Sequence, residues 1–119
     1  MVRILLAEDD GSMREYLARA LERTGYAVKA VESGVVALKE LELHDYDLLL
    51  TDIVMPELDG IELAQRATVL HPDMRVMFIT GFAAVALNPD SRAPKDAKVL
   101  SKPFHLRDLV DEVNKLLVA

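Results

Sequence analysis

At 119 residues, 51% of them hydrophobic, the chain is sized for one domain with a true core, and residues 1–119 are expected to form it. The absence of cysteine removes disulfides, thiol nucleophiles and cysteine-type zinc sites together. A net charge of -6 excludes a chain that neutralises nucleic-acid phosphates on its own, and the lack of a long apolar run or a leading signal segment predicts a cytoplasmic protein with no membrane contact.

Arg3-Ile4-Leu5-Leu6-Ala7 is a continuous apolar run that stops at Glu8-Asp9-Asp10, the pattern of a strand buried on both faces. Ser12, with Glu15 three residues on, has the form of a capping box, and Met13, Tyr16, Leu17, Ala20 and Leu21 recur at helical spacing up to Gly25. Residues 26–31 alternate enough to predict a second strand at an edge of the sheet. Gly34 precedes a second amphipathic helix carrying Val36, Ala37, Leu38 and Leu41. Residues 47–51 read as a third strand that ends abruptly at Asp52, after which Pro56 and Asp59-Gly60 turn the chain into a third helix stopped by His71-Pro72. A fourth strand over 75–79 runs into Thr80-Gly81-Phe82. The stretch from Ala83 to Leu87 begins like a helix but is cut by Asn88-Pro89 and Pro94, so a short, irregular fourth helix is expected there. Residues 97–100 predict a fifth strand and Ser101-Lys102-Pro103-Phe104 a turn. Leu106, Leu109, Val110, Val113, Leu116 and Leu117 then mark the stripe of a final helix.

Strands alternating with helices through short connections imply right-handed crossovers and an α/β fold, a doubly wound parallel five-stranded sheet of flavodoxin-like order 2-1-3-4-5. Strands 1 and 3 then flank the switch point where such sheets open a crevice. The ends of strands 1, 3, 4 and 5 bring Glu8, Asp9, Asp52, Thr80 and Lys102 towards it. Each has an ordinary explanation alone: an acidic helix start, a strand-end cap or hydroxyl, a surface lysine. Together, three carboxylates at one place repel, and a hard divalent cation with oxygen ligands relieves them. Mg²⁺ suits that set, whereas zinc or copper would want the His or Cys that the cluster lacks.

Glu8-Asp9 after strand 1, Asp52 with Met55-Pro56 and Asp59-Gly60 after strand 3, Thr80-Gly81 after strand 4 and Lys102-Pro103-Phe104 after strand 5 resemble the receiver domain of two-component response regulators, the CheY-like superfamily. The resemblance spans the whole chain. It implies a phosphorylation-dependent switch of a phosphorelay, not a turnover enzyme, which catalyses only its own phosphoryl transfer and slow self-dephosphorylation. Asp52 would be the phosphoacceptor, fed by a histidine kinase or a histidine phosphotransferase. Glu8, Asp9, Asp52 and the backbone carbonyl of Val54 would hold Mg²⁺, while Thr80 and Lys102 would meet phosphoryl oxygens, with a cis Lys102-Pro103 bond. Asp10 is an acid the family does not require.

The chain departs from the common receiver at three places. Val99 stands where many receivers carry an aromatic switch residue, so output is expected from the region of the broken fourth helix, with Phe82, Val85, Leu87 and Val99 as its surface. Val54 and Phe82 follow the phosphoacceptor and the threonine by two positions, and neither can orient a water, which predicts a long-lived phosphoryl group. The chain closes one helix after the lysine, so output is expected through a protein contact. Residues 53–56, 82–89 and 98–106 are most similar to stand-alone cell-cycle receivers of alphaproteobacteria. That resemblance implies an unphosphorylated form that helps the ClpXP protease select its substrates. A single-domain phosphate shuttle, or a receiver acting on another protein, would share every site residue. A haloacid-dehalogenase-like phosphohydrolase would want a second acid at Val54, and a flavodoxin-type cofactor binder a phosphate-cradling loop where Glu8-Asp9-Asp10 stands.

Overall fold

The computed structural model describes residues 1–81, 88, 92–94 and 96–118. Its strands are β1 (Arg3–Ala7), β2 (Ala27–Val31), β3 (Leu48–Asp52), β4 (Arg75–Thr80) and β5 (Lys98–Ser101). The described helices, numbered in chain order, are α1 (Gly11–Arg23), α2 (Gly34–Leu43), α3 (Gly60–Leu70) and α4 (Leu106–Val118). Every strand pair is parallel and the order is β2-β1-β3-β4-β5, the doubly wound sheet that the alternation of elements predicts. The short helix expected at 83–87, with Phe82, Val85 and Leu87, lies outside the described residues.

Successive side chains of a strand point to opposite faces, so a strand covered on both sides is apolar throughout. Leu5, Ala7, Leu49, Val76 and Phe78 face α2 and α3, meeting Ala37, Leu41, Leu63, Ala64 and Ala67. Ile4, Leu6, Leu48, Leu50, Met77 and Ile79 face the other way, against Leu17 and Leu21 of α1 and Leu109 and Val113 of α4. β3 is buried along its whole length. Each fully buried Leu or Ile contributes about 1.5–3 kcal/mol relative to exposure, so a charge at Leu49 would unseat the layer under α2 and α3, and one at Leu50 the layer under α1 and α4.

Helix starts are capped by side chains that leave the strand ends. Asp10, not Ser12, caps α1: its carboxylate accepts the Met13 N–H at 3.1 Å, with its backbone extended at φ -78° and ψ 113°. The capping box expected of Ser12 and Glu15 does not form, because Asp10 is already placed to reach the opening turn, and Glu15 pairs with Arg19 instead. Ser33 caps α2 through the Val36 N–H at 3.1 Å, and Asp59 caps α3 through the Glu62 N–H at 2.8 Å. Registers Ala7↔Thr51, Asp52↔Ile79 and Thr80↔Ser101 bring the ends of four strands level, so Glu8, Asp52, Thr80 and Lys102 emerge at one edge.

Candidate functional site

Asp52 is the last residue of β3, and the loop behind it is held by two helices that approach it backbone to backbone. The Gly60 N–H donates to the Ile53 carbonyl at 2.8 Å. A Cβ at Gly60 would stand 1.9 Å from the Asp52 carbonyl oxygen, so no side chain fits. Gly34, the first residue of α2, also presses on the same loop: its Cβ would stand 2.4 Å from the Leu58 carbonyl oxygen. Between them, Glu57 adopts φ 68° and the Leu58 N–H reaches the Pro56 carbonyl at 2.8 Å, closing a three-residue turn.

Three charged groups meet at the mouth of this loop. Glu8 is 1% exposed and Asp52 8%. The Lys102 ammonium lies 3.0 Å from Asp52 Oδ2 and 3.1 Å from Glu8 Oε1, bridging the two carboxylates. Burial pushes the Glu8 carboxyl above its ordinary pKa and the Asp52 charge adds to this, outweighing the Lys102 hydrogen bond that opposes them. Burial disfavours the Lys102 ammonium, but its hydrogen bonds to Asp52 and Glu8 prevail and hold its pKa above the ordinary value. Asp52 Oδ1 also accepts the Ile53 N–H at 2.7 Å.

Asp9 adds a third, exposed acid, and Glu8, Asp9 and Asp52 each place a carboxylate oxygen within 4.8 Å of the others. The donors are oxygen alone, two of the acids are buried, and one ammonium leaves a surplus of negative charge. A hard cation such as Mg²⁺ fits such a set, and among the described residues no His joins it.

Thr80 is fully buried at the end of β4, and its carbonyl accepts the Lys102 N–H at 2.7 Å. Gly81 beside it is exposed, and among the described residues no atom lies within 4 Å of where a Cβ would stand. The Lys102-Pro103 bond is cis. Val54 stands 56% exposed two residues beyond Asp52. Val99 is half-buried and packs with Ala93 and Ala97 against the core layer shared with α2 and α3. The motif residues at the four strand ends are thus together, whereas Phe82, Val85 and Leu87 lie outside the described residues. Two further residues, on helices, take part without a motif of their own. Gly34 supports the loop through Leu58, and its signal was a glycine at a helix start that no turn required. Arg14 reaches back from α1, its Nη1 2.9 Å from the Glu8 carbonyl, and its signal was a base one turn after an acidic run.

The response regulator receiver domain family matches residues 4–114. The chain belongs to that family. This receiver is 66% identical over 119 residues to the response regulator receiver protein CpdR of Brucella abortus, covering 100% of this chain and 99% of the relative. It is 38% identical over 118 residues to the sensor kinase CckA of the same organism, covering 96% of this chain but 12% of the kinase. Among solved structures it resembles the response regulator TrrA of Thermotoga maritima in complex with Mg²⁺-BeF, with a TM-score of 0.87 and 32% identity over 98% of this chain and 100% of that one. It also resembles the receiver domain of the hybrid histidine kinase CckA, with a TM-score of 0.83 and 32% identity over 97% and 98% of the two chains. In this receiver Glu8, Asp9 and Asp52 cluster as the acids of a receiver Mg²⁺ site do. Among the described residues no helix is long and apolar enough to cross a membrane.

Proposed function

We propose that the chain is a phosphorylation-dependent, single-domain switch that takes a phosphoryl group on Asp52 from the phosphohistidine of a histidine kinase or phosphotransferase. The observation that carries this is the shared ammonium: Lys102 bridges Asp52 and Glu8 at 3.0 and 3.1 Å, which leaves a buried carboxylate beside a cationic partner that it shares with a second acid. Asp52 attacks phosphorus as the histidine nitrogen leaves, and an acyl phosphate replaces the carboxylate. Lys102, released from Asp52, follows the new negative charge as a counter-ion, and the Thr80 hydroxyl donates to another phosphoryl oxygen. Glu8, Asp9, Asp52 and the Val54 carbonyl would hold Mg²⁺, which supplies positive charge against the attacking carboxylate and the transferring oxygens.

Likeness to CpdR over the full chain supports a role as a stand-alone cytoplasmic regulator. On that reading the unphosphorylated form assists ClpXP in choosing substrates, and phosphorylation ends the assistance. Output would pass through Phe82, Val85, Leu87 and Val99.

The test is incubation with Mg²⁺ and a small phosphodonor such as acetyl phosphate, read by intact mass. The parent should gain one phosphoryl group and Asp52→Asn none; equal gain by both would sink the assignment. Followed over time, the parent's label should outlast that of Val54→Asn, because an amide at the exposed mouth can orient water where valine cannot. Equal half-lives would remove Val54 from that role. Pull-down of ClpX by the unlabelled form alone would support the downstream role, and equal capture by both forms would overturn it.

A further inference from the structure

Glu8 has a partner for every polar group it owns. Its N–H donates to the Val31 carbonyl at 3.1 Å, and its Oε1 accepts from Lys102 at 3.1 Å. Its Oε2 accepts the Asp10 N–H at 3.3 Å, and its backbone carbonyl accepts from Arg14 Nη1 at 2.9 Å. The last bond bears on the next residue, since the Glu8 carbonyl belongs to the peptide unit shared with Asp9. A planar peptide turns as one body, so holding its oxygen sets the direction in which the chain enters Asp9. On the other side, Asp10 is fixed as the cap of α1 by the Met13 N–H. Asp9 therefore stands between two pinned residues while being exposed itself, and its carboxylate makes no hydrogen bond within the described residues. Only the backbone aims it.

We infer that Arg14 is a positioning residue of the metal site: by clamping the Glu8–Asp9 peptide it directs the Asp9 carboxylate towards Glu8 and Asp52. This rests on the reading of the acidic cluster as a Mg²⁺ site. A guanidinium this near a cation site is unfavourable by charge alone, because like charges repel. Geometry and electrostatics therefore predict opposite signs for its removal, and the sign decides between them.

The experiment is calorimetric titration of the whole chain with Mg²⁺ alone, without phosphodonor, for the parent, Arg14→Met and Arg14→Lys. Arg14→Met should bind Mg²⁺ about tenfold more weakly, the usual scale for losing a residue that orients a ligand. Its Asp9 and Asp10 amides should also exchange faster with solvent. Arg14→Lys keeps a donor on a shorter stem and should fall between the two. Binding by a folded Arg14→Met that equals or exceeds the parent's overturns the inference, as does an Arg14→Lys no better than the methionine variant. Arg14→Gln takes the neutral role should Arg14→Met fail to fold. A parent that binds no Mg²⁺ overturns the reading of the site itself, which the variants alone would not.

Discussion

β3 has an acid at each end, and the two ends use it in opposite ways. At the N-terminal end, Asp47 is exposed and accepts the Arg3 N–H at 2.8 Å, while its own N–H and carbonyl bond to Arg3 and Arg75 at 2.8 and 3.0 Å. Beside it the Tyr46 hydroxyl donates to Glu40 at 2.6 Å, and the Arg3 guanidinium lies 4.9 Å over the Tyr46 ring. Each acid there has its donor, and the bonds tie β1, β3, β4 and α2 together. At the C-terminal end, Asp52 and Glu8 share one ammonium, and among the described residues Asp9 has none of its own. The ends differ not in hydrogen-bond donors but in charge and burial: Asp47 is an exposed acid, whereas Glu8 and Asp52 are buried carboxylates that share a single cation.

The largest expected effect tests whether the charge-crowded end depends on the loop behind it. Gly60→Ala forces a methyl against the Asp52 carbonyl, 1.9 Å away, and should cost about 3 kcal/mol or more of stability by thermal or urea unfolding. A loss under about 1 kcal/mol would mean that the loop yields freely and does not hold Asp52.

Lys102→Met sharpens the comparison itself. It leaves Glu8 and Asp52 facing each other without a cation, and stability in chelator should fall by about 2 kcal/mol, less than for a fully enclosed pair since the lysine side chain is 27% exposed. Millimolar Mg²⁺ should restore much of the loss. An equal loss with and without Mg²⁺ would break the contrast between the two ends.

Tyr46→Phe probes the quiet end and should cost about 1 kcal/mol at neutral pH, the net value of one hydrogen bond, with no response to Mg²⁺. Burial, helped by the hydrogen bond to Glu40, pushes the Tyr46 hydroxyl up to about 12. A raised pKa means that the native state keeps its proton longer than the unfolded chain. The contribution is therefore complete below the unfolded value of 10.0 and is lost as pH rises to about 12. The gap between parent and Tyr46→Phe should close across that window, and a gap that widens there would reverse the assignment.

The five strands were legible to within a residue or so at each end, because apolar runs bounded by acids, glycine and proline report double-sided burial directly. The four strand-end motifs were legible for the same reason: parallel strands in one order must deliver their C-terminal ends to one edge. The start of α1 was misread, since Ser12 and Asp10 are both good caps and only the exit angle from β1 decides which carboxylate or hydroxyl reaches the open N–H groups. Arg14 was passed over because a half-buried arginine on a helix has no pattern of its own; its meaning lies in a carbonyl six residues back.

By itself the sequence determined which residues are chemical and on which strand ends they stand, because side-chain alternation and strand order are local and topological facts. Only the tertiary structure decided that Lys102 bridges Asp52 and Glu8, that two glycines admit helices against the loop, and that Arg14 holds the peptide between two acids. Those are distances between segments far apart in the chain, set by how the packed layers close over one another.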